Sequence, residues 1–146
     1  MKSGPERTLV EDYVTRFDRT GRPLSLGPLE MVEVEDRKGG GKAAEAMLLQ
    51  RAASGADLVC ILDERGKALS SPDFSKHLSD WRDQGLGSVA FLIGGADGLT
   101  PELRKEAGFA LSFGAMVWPH MLVRVMLTEQ LYRAASILAG TPYHRA

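Results

Sequence analysis

Two uninterrupted apolar runs constrain this chain more than any other feature: Leu58-Val59-Cys60-Ile61-Leu62 and Val89-Ala90-Phe91-Leu92-Ile93. A strand that is apolar on both faces must be covered on both faces, which is the condition of a parallel sheet under helices. The spacing predicts strands over residues 57–63 and 88–93, with a short third strand over 109–113. A sheet of that kind needs helices between its strands, and the sequence supplies them.

Residues 6–19 carry Leu9, Val10, Tyr13, Val14 and Phe17 at helical spacing, closed by Gly21 and Pro23. Residues 43–53 are rich in Ala, Leu and Met, which are strong helix formers. Ser71-Pro72-Asp73 reads as a helix start, with a hydroxyl cap, a first-turn proline and an acid at the positive helix end. That helix is expected to run to about Gln84 and stop at Gly85. Thr100-Pro101-Glu102 repeats the same chemistry. The last helix is expected over residues 119–139, stopped by Gly140 and Pro142. Leu29-Glu30-Met31-Val32-Glu33-Val34-Glu35 alternates apolar and acidic residues, the period-two mark of a strand with one wet face. A charged glycine loop follows over residues 36–42. Strands alternating with helices give an α/β fold with a mostly parallel sheet, in one domain over residues 1–146.

The single cysteine, Cys60, rules out an internal disulfide framework and reads as a core residue of a protein in a reducing compartment. The start shows no apolar signal segment, and no run is long enough to span a bilayer, so a cytoplasmic location is expected. A net charge of −1 argues against coating nucleic acid by bulk electrostatics. Positive charge is nevertheless concentrated near the end. From Phe113 onward, Arg124, Arg133 and Arg145 face only Glu129, alongside His120 and His144.

Ligands of open α/β sheets bind beyond the carboxyl ends of the strands. Three loops are expected there. The motif at the first, Leu62-Asp63-Glu64-Arg65-Gly66-Lys67, reads on spacing as a charged surface turn ahead of a ligand-lining edge. The second, Gly94-Gly95-Ala96-Asp97-Gly98, lets backbone N–H groups approach a ligand closely, but its spacing is not that of a dinucleotide fingerprint. The third, Phe113-Gly114-Ala115-Met116-Val117-Trp118, offers few polar side chains. A ligand there would be held by backbone amides and carbonyls against apolar walls, which suits an adenine and a ribose. Taken alone, Met116 and Trp118 read as core.

The last helix is apolar nearly all round, and such a helix has to be covered on more than one side. One sheet covers one side, so a second copy of the chain is the natural other cover. At about 100° per residue, Arg124 falls on the face of His120, with Glu129 and Arg133 opposite. Glu129 and Arg133 have the favourable orientation of an ion pair one turn apart. The tail Tyr143-His144-Arg145 reads as a solvated end, although a tyrosine can stack on a base and an arginine can grip phosphate.

Together, LDERGK, FLIGGADGL and LSFGAMVWPHMLVRVMLTEQLYRAASILAGTPYHR closely resemble the SPOUT-class methyltransferases of the ribosomal large subunit methyltransferase H family. The resemblance covers nearly the whole chain, including the GPE near its start. It implies a SPOUT α/β knot, with a deep trefoil knot at the carboxyl end, and an obligate homodimer. It implies S-adenosylmethionine as cofactor, and the N3 of a pseudouridine in a 23S rRNA stem-loop of the assembled ribosome as acceptor, with neither DNA, membrane nor metal involved. Matched motif by motif, the cofactor should touch Leu62, Gly94, Gly95, Phe113, Gly114, Ala115, Met116, Val117 and Trp118. His120, Arg124, Glu129, Arg133, Tyr143, His144 and Arg145 match active-site and RNA-facing positions, with Arg124, Tyr143, His144 and Arg145 toward RNA. The chain departs from the family in two respects. It opens almost at GPE, without the strand that precedes it in relatives, and Gly114 and Val117 stand where relatives usually carry Ser and Thr.

Methylating an imide nitrogen builds charge on the flanking carbonyl oxygens, where an arginine or histidine can offset it. The resemblance therefore suggests His120 and Arg124 beside the methyl group, with Tyr143 and Arg145 holding RNA. Two rivals remain at this stage: a SPOUT enzyme with another RNA acceptor, such as a tRNA guanine, and a non-catalytic ribosome-binding module.

Overall fold

The computed structural model describes residues 3–35, 39–95 and 98–145. Its elements run α1 (Pro5–Gly21), a 3-10 turn (Arg22–Leu24), α2 (Gly41–Ala52), β1 (Leu58–Ala68), α3 (Ser71–Asp83), β2 (Val89–Leu92), α4 (Pro101–Glu106), β3 (Phe109–Ser112) and α5 (His120–Ala139). They fall into two compact units. One takes the chain up to Met31, Leu69–Gly85 and the chain from Met121; the other takes Val32–Ala68 and Leu86–His120.

The second unit holds the sheet. Its order is β2-β1-β3 with both pairings parallel, as the alternation of strands and helices requires. Ile61 of β1 and Leu92 of β2 meet Ala46 and Leu49 of α2, and Leu99 and Leu103 at α4, in one buried cluster. Burying one leucine or isoleucine side chain contributes roughly 1.5–3 kcal/mol, so this cluster helps to anchor the sheet. Cys60 is fully buried in β1, and burial pushes its thiol up to about 12. It is a core residue, as its apolar neighbours imply.

β1 is longer than its apolar run. Its pairing with β3 proceeds from Cys60↔Phe109 to Leu62↔Leu111, then resumes at Lys67↔Leu111 after a register shift. The polar residues that resemble a surface turn are therefore a bulge inside a strand. Gly66 makes it possible: a Cβ there would meet the Ala110 carbonyl carbon and oxygen at 2.6 Å.

In the other unit, α3 and α5 are joined by the Ser71 hydroxyl, which donates to Oε1 of Gln130 at 2.7 Å. Arg82 of α3 donates to the Leu24 carbonyl at 2.9 Å. The cap of α3 is Ser70, not Ser71: the Ser70 hydroxyl accepts the Asp73 N–H at 3.1 Å, and Ser71 turns to α5 instead. Thr100 caps α4 as expected, accepting the Leu103 N–H at 3.3 Å.

The strand expected over residues 29–35 does not form. Alternation supplies a pattern, but a strand also needs a ladder partner. Here the Leu29 N–H is taken by Oδ1 of Asp18 at 2.8 Å, and Met31 and Val32 are exposed. Of the glycine loop that follows, residues 36–38 lie outside the described residues, as do Ala96 and Asp97 of the second ligand loop.

Candidate active site

Because all three strands are parallel, their carboxyl ends share one edge of the sheet. β1 lies in the middle; the chain passes from it to β2 on one side, and from β2 back across to β3 on the other. That reversal is the switch point at which open α/β sheets bind ligands. Gly94-Gly95 follows β2 and the run from Phe113 to Trp118 follows β3, while Leu62 lies within β1 opposite Leu111.

The Gly94-Gly95 segment is held from within. Gly95 and Gly98 form an isolated bridge, and the Gly98 N–H donates to the Gly95 carbonyl at 3.0 Å. A Cβ on Gly94 would meet the backbone carbon of Gly98 at 2.8 Å, an obstacle that cannot rotate away. A Cβ on Gly95 would meet only the carboxylate of Glu45, at 2.5 Å. The Gly95 N–H donates to Oε1 of that same Glu45, at 2.8 Å from α2. Sequence reasoning missed Glu45, since one acid in an alanine-rich helix carries no spacing signal.

Ser112, the last residue of β3, is likewise absent from the sequence-derived set. Its buried hydroxyl accepts the Gly114 N–H at 3.0 Å and lies 3.2 Å from the Glu64 carbonyl in the β1 bulge. Gly114 has φ 107, in the region that disfavours any residue with a Cβ. Asp63 faces Arg104 at 3.8 Å, with Asp63 largely buried, so this acid of the LDERGK motif serves an ion pair.

Met116, Val117 and Trp118 are not core. They are 74%, 91% and 40% exposed, because the loop carries them outward beyond β3 instead of under the sheet. They are three consecutive exposed apolar side chains in the loop that follows β3.

His120 opens α5, and Arg124 follows one turn later, half-buried, with Nη1 3.6 Å from the Met121 sulfur. Further along α5, Glu129 and Arg133 form an ion pair at 2.6 Å, with both side chains mostly covered. The tail returns to this pair. Gly140, with φ 75, ends the helix, and the Thr141 N–H donates to the Ser136 carbonyl at 3.0 Å. Arg133 Nη1 then lies 3.0 Å from Nδ1 of His144, and its guanidinium sits 4.8 Å over the Tyr143 ring. Tyr143 packs on Tyr132 with centroids 4.5 Å apart. Desolvation, helped by the nearby Glu129 charge, pushes its phenol up to about 12. The tail is therefore no solvated end; of its three site candidates only Arg145 is exposed.

A family model described as "Predicted SPOUT methyltransferase" matches residues 1–144. The chain is similar to proteins named Ribosomal RNA large subunit methyltransferase H. The one from Dinoroseobacter shibae is 67% identical over 145 residues, spanning 99% of this chain and 93% of that protein. Those from Ruegeria pomeroyi and Roseobacter denitrificans are 63% and 65% identical with the same coverage. The chain belongs to the SPOUT methyltransferase family. Membership makes the chain a methyltransferase by family. The relatives' names speak for an rRNA methyltransferase over the two rivals, a SPOUT enzyme with another RNA acceptor and a non-catalytic module. No described helix is long and apolar enough to cross a membrane.

Proposed function

We propose that the chain transfers a methyl group from S-adenosylmethionine to N3 of a pseudouridine in 23S rRNA of the assembled ribosome, as a knotted homodimer in the cytoplasm. What carries the reading is identity of 63–67% over nearly the full length of relatives named for ribosomal RNA large subunit methylation.

The residues at the sheet edge suit the cofactor. When bound, S-adenosylmethionine supplies a methyl group on a positively charged sulfonium. Gly94 and Gly95 offer close backbone approach, the backbone of residues 113–118 offers amides and carbonyls, and Met116, Val117 and Trp118 keep water from an adenine. Leu62 adds an apolar contact from β1. His120 is the chain's candidate to receive the N3 proton, and Arg124 offsets charge on the flanking carbonyl oxygens. Glu129 and Arg133 hold the tail, and Tyr143, His144 and Arg145 address the RNA. Positioning is the main requirement, because displacement at a methyl needs the acceptor in line with the leaving sulfur.

A homodimer suits the exposure of α5. No residue from His120 to Met126 is buried within the chain, although that stretch includes Met121, Leu122, Val123, Val125 and Met126. Surfaces of this composition are usually covered by a partner.

The deciding experiment is incorporation of labelled methyl into whole ribosomes and into the naked stem-loop, followed by mass spectrometry of the rRNA. The expected product is N3-methylpseudouridine, formed on ribosomes and far less on the free stem-loop. Absence of label on ribosomes, or equal labelling of both, would sink the reading. Light scattering should show a dimer at micromolar concentration.

A further inference from the structure

The tail reaches Tyr143 and Arg145 through contacts that begin on α1, an element with no role in the site described so far. Tyr13 of α1 stacks on Tyr132 of α5, with ring centroids 6.3 Å apart and planes 29° from parallel. Arg16, one turn before the end of α1, places its guanidinium 5.8 Å from the centre of the same Tyr132 ring. Arg16 is itself fixed by Asp12 at 3.1 Å. Tyr132 then carries Tyr143, and Arg133, locked to Glu129, covers Tyr143 and touches His144.

We infer that Tyr13 and Arg16 are positioning residues for RNA, holding Tyr132 so that Tyr143 anchors the tail and leaves Arg145 free to meet the substrate. The inference rests on the proposed reading of the tail as RNA-facing. It also changes the part played by Tyr143. Its ring is engaged by Tyr132 and Arg133, so it acts by fixing the chain, and the exposed Arg145 provides the contact. A tail already ordered before binding gives up less conformational freedom when RNA arrives.

The test uses the full-length protein on whole ribosomes. Tyr13→Ala should raise KM for ribosomes roughly 2- to 12-fold, the range that one aromatic pair allows. kcat and the affinity for S-adenosylmethionine should stay unchanged. Tyr13→Phe keeps the ring but loses the hydroxyl's hydrogen bond to Tyr143, so it should restore most of the KM effect. Arg16→Gln, at an exposed side chain, should raise KM in the same direction by less, and serves if Tyr13→Ala proves unstable. Hydrogen exchange at the amides of Thr141, Tyr143, His144 and Arg145 should quicken in both variants, and nowhere in the sheet. In an Arg145→Ala background, Tyr13→Ala should add nothing, because both act through one contact. Full additivity of those two changes, or unaltered exchange and KM in Tyr13→Ala, would overturn the inference while leaving the tail's role intact. If Arg145→Ala alone leaves KM for ribosomes unchanged, the reading of the tail fails first, and the inference falls with it.

Discussion

The sheet edge and the tail cluster are both candidate functional regions, yet they are made of different material. At the edge the working parts are backbone: a glycine pair, a glycine with positive φ, and a strand bulge allowed by Gly66. At the tail they are side chains: tyrosine on tyrosine, arginine over tyrosine, and an ion pair beneath. The difference teaches where substitutions should hurt. An added Cβ at the edge glycines meets backbone or a carboxylate, whereas in the tail the damaging change is the loss of a ring.

The largest effect expected from this contrast is at Gly66. Gly66→Val drives a branched side chain into the Ala110 backbone, and overpacking of that sort costs ~1–3 kcal/mol or more. Calorimetry should show a melting temperature roughly 5–10 °C lower. An unchanged value would mean that the bulge does not constrain the edge.

The next effect separates the two loop glycines. Gly94→Val strikes the Gly98 backbone, while Gly95→Val only displaces the Glu45 carboxylate. S-adenosylmethionine affinity, measured by titration calorimetry, should fall roughly tenfold to a hundredfold for Gly94→Val, given ~1–3 kcal/mol of misfit. Gly95→Val should lose less, and about as much as Glu45→Ala. A larger loss at Gly95 would show that ligand contact, not loop geometry, governs this segment.

Smaller still is the tail. Tyr143→Ala should cost about 1 kcal/mol of stability through its ring contacts, while Arg145→Ala should stay within about 0.5 kcal/mol of the parent. Equal, negligible effects in denaturant titrations would return the tail to a solvated end. The phenol adds a sign to check. Its folded pKa, about 12, lies above the ordinary value of 10.0, so its contribution is complete below pH 10 and is lost as pH rises toward 12. Tyr143→Phe should remove that part of the alkaline loss.

The smallest effect is expected at Ser136. Its hydroxyl is buried and has no hydrogen-bond partner among the described residues, so Ser136→Ala should be neutral or stabilising by up to about 1 kcal/mol. Clear destabilisation would mean that the hydroxyl has a partner after all.

The same division explains what could be read from the chain. Apolar runs and the Thr100-Pro101-Glu102 start are local signals, and β1, β2 and α4 follow from them. Residues 29–35 carry an equally clear local signal, but a strand needs a neighbour, and periodicity does not report one. The polar residues of LDERGK mimic a turn, because what makes them a bulge is the Ala110 backbone, far away in sequence. Met116 and Trp118 show that residue type alone does not decide burial. In the tail, the residue types were informative and their partners were not: nothing in Tyr13 announces that it supports Tyr132.

Ser112 carries one further consequence. Its hydroxyl connects the Glu64 carbonyl to the Gly114 amide, and so joins the first ligand loop to the third. Two segments tied by one side chain cannot wander independently, so the ensemble of open forms is smaller than two free loops would allow. Ordering either segment then costs less conformational entropy than ordering two independent ones, without any movement of the strands.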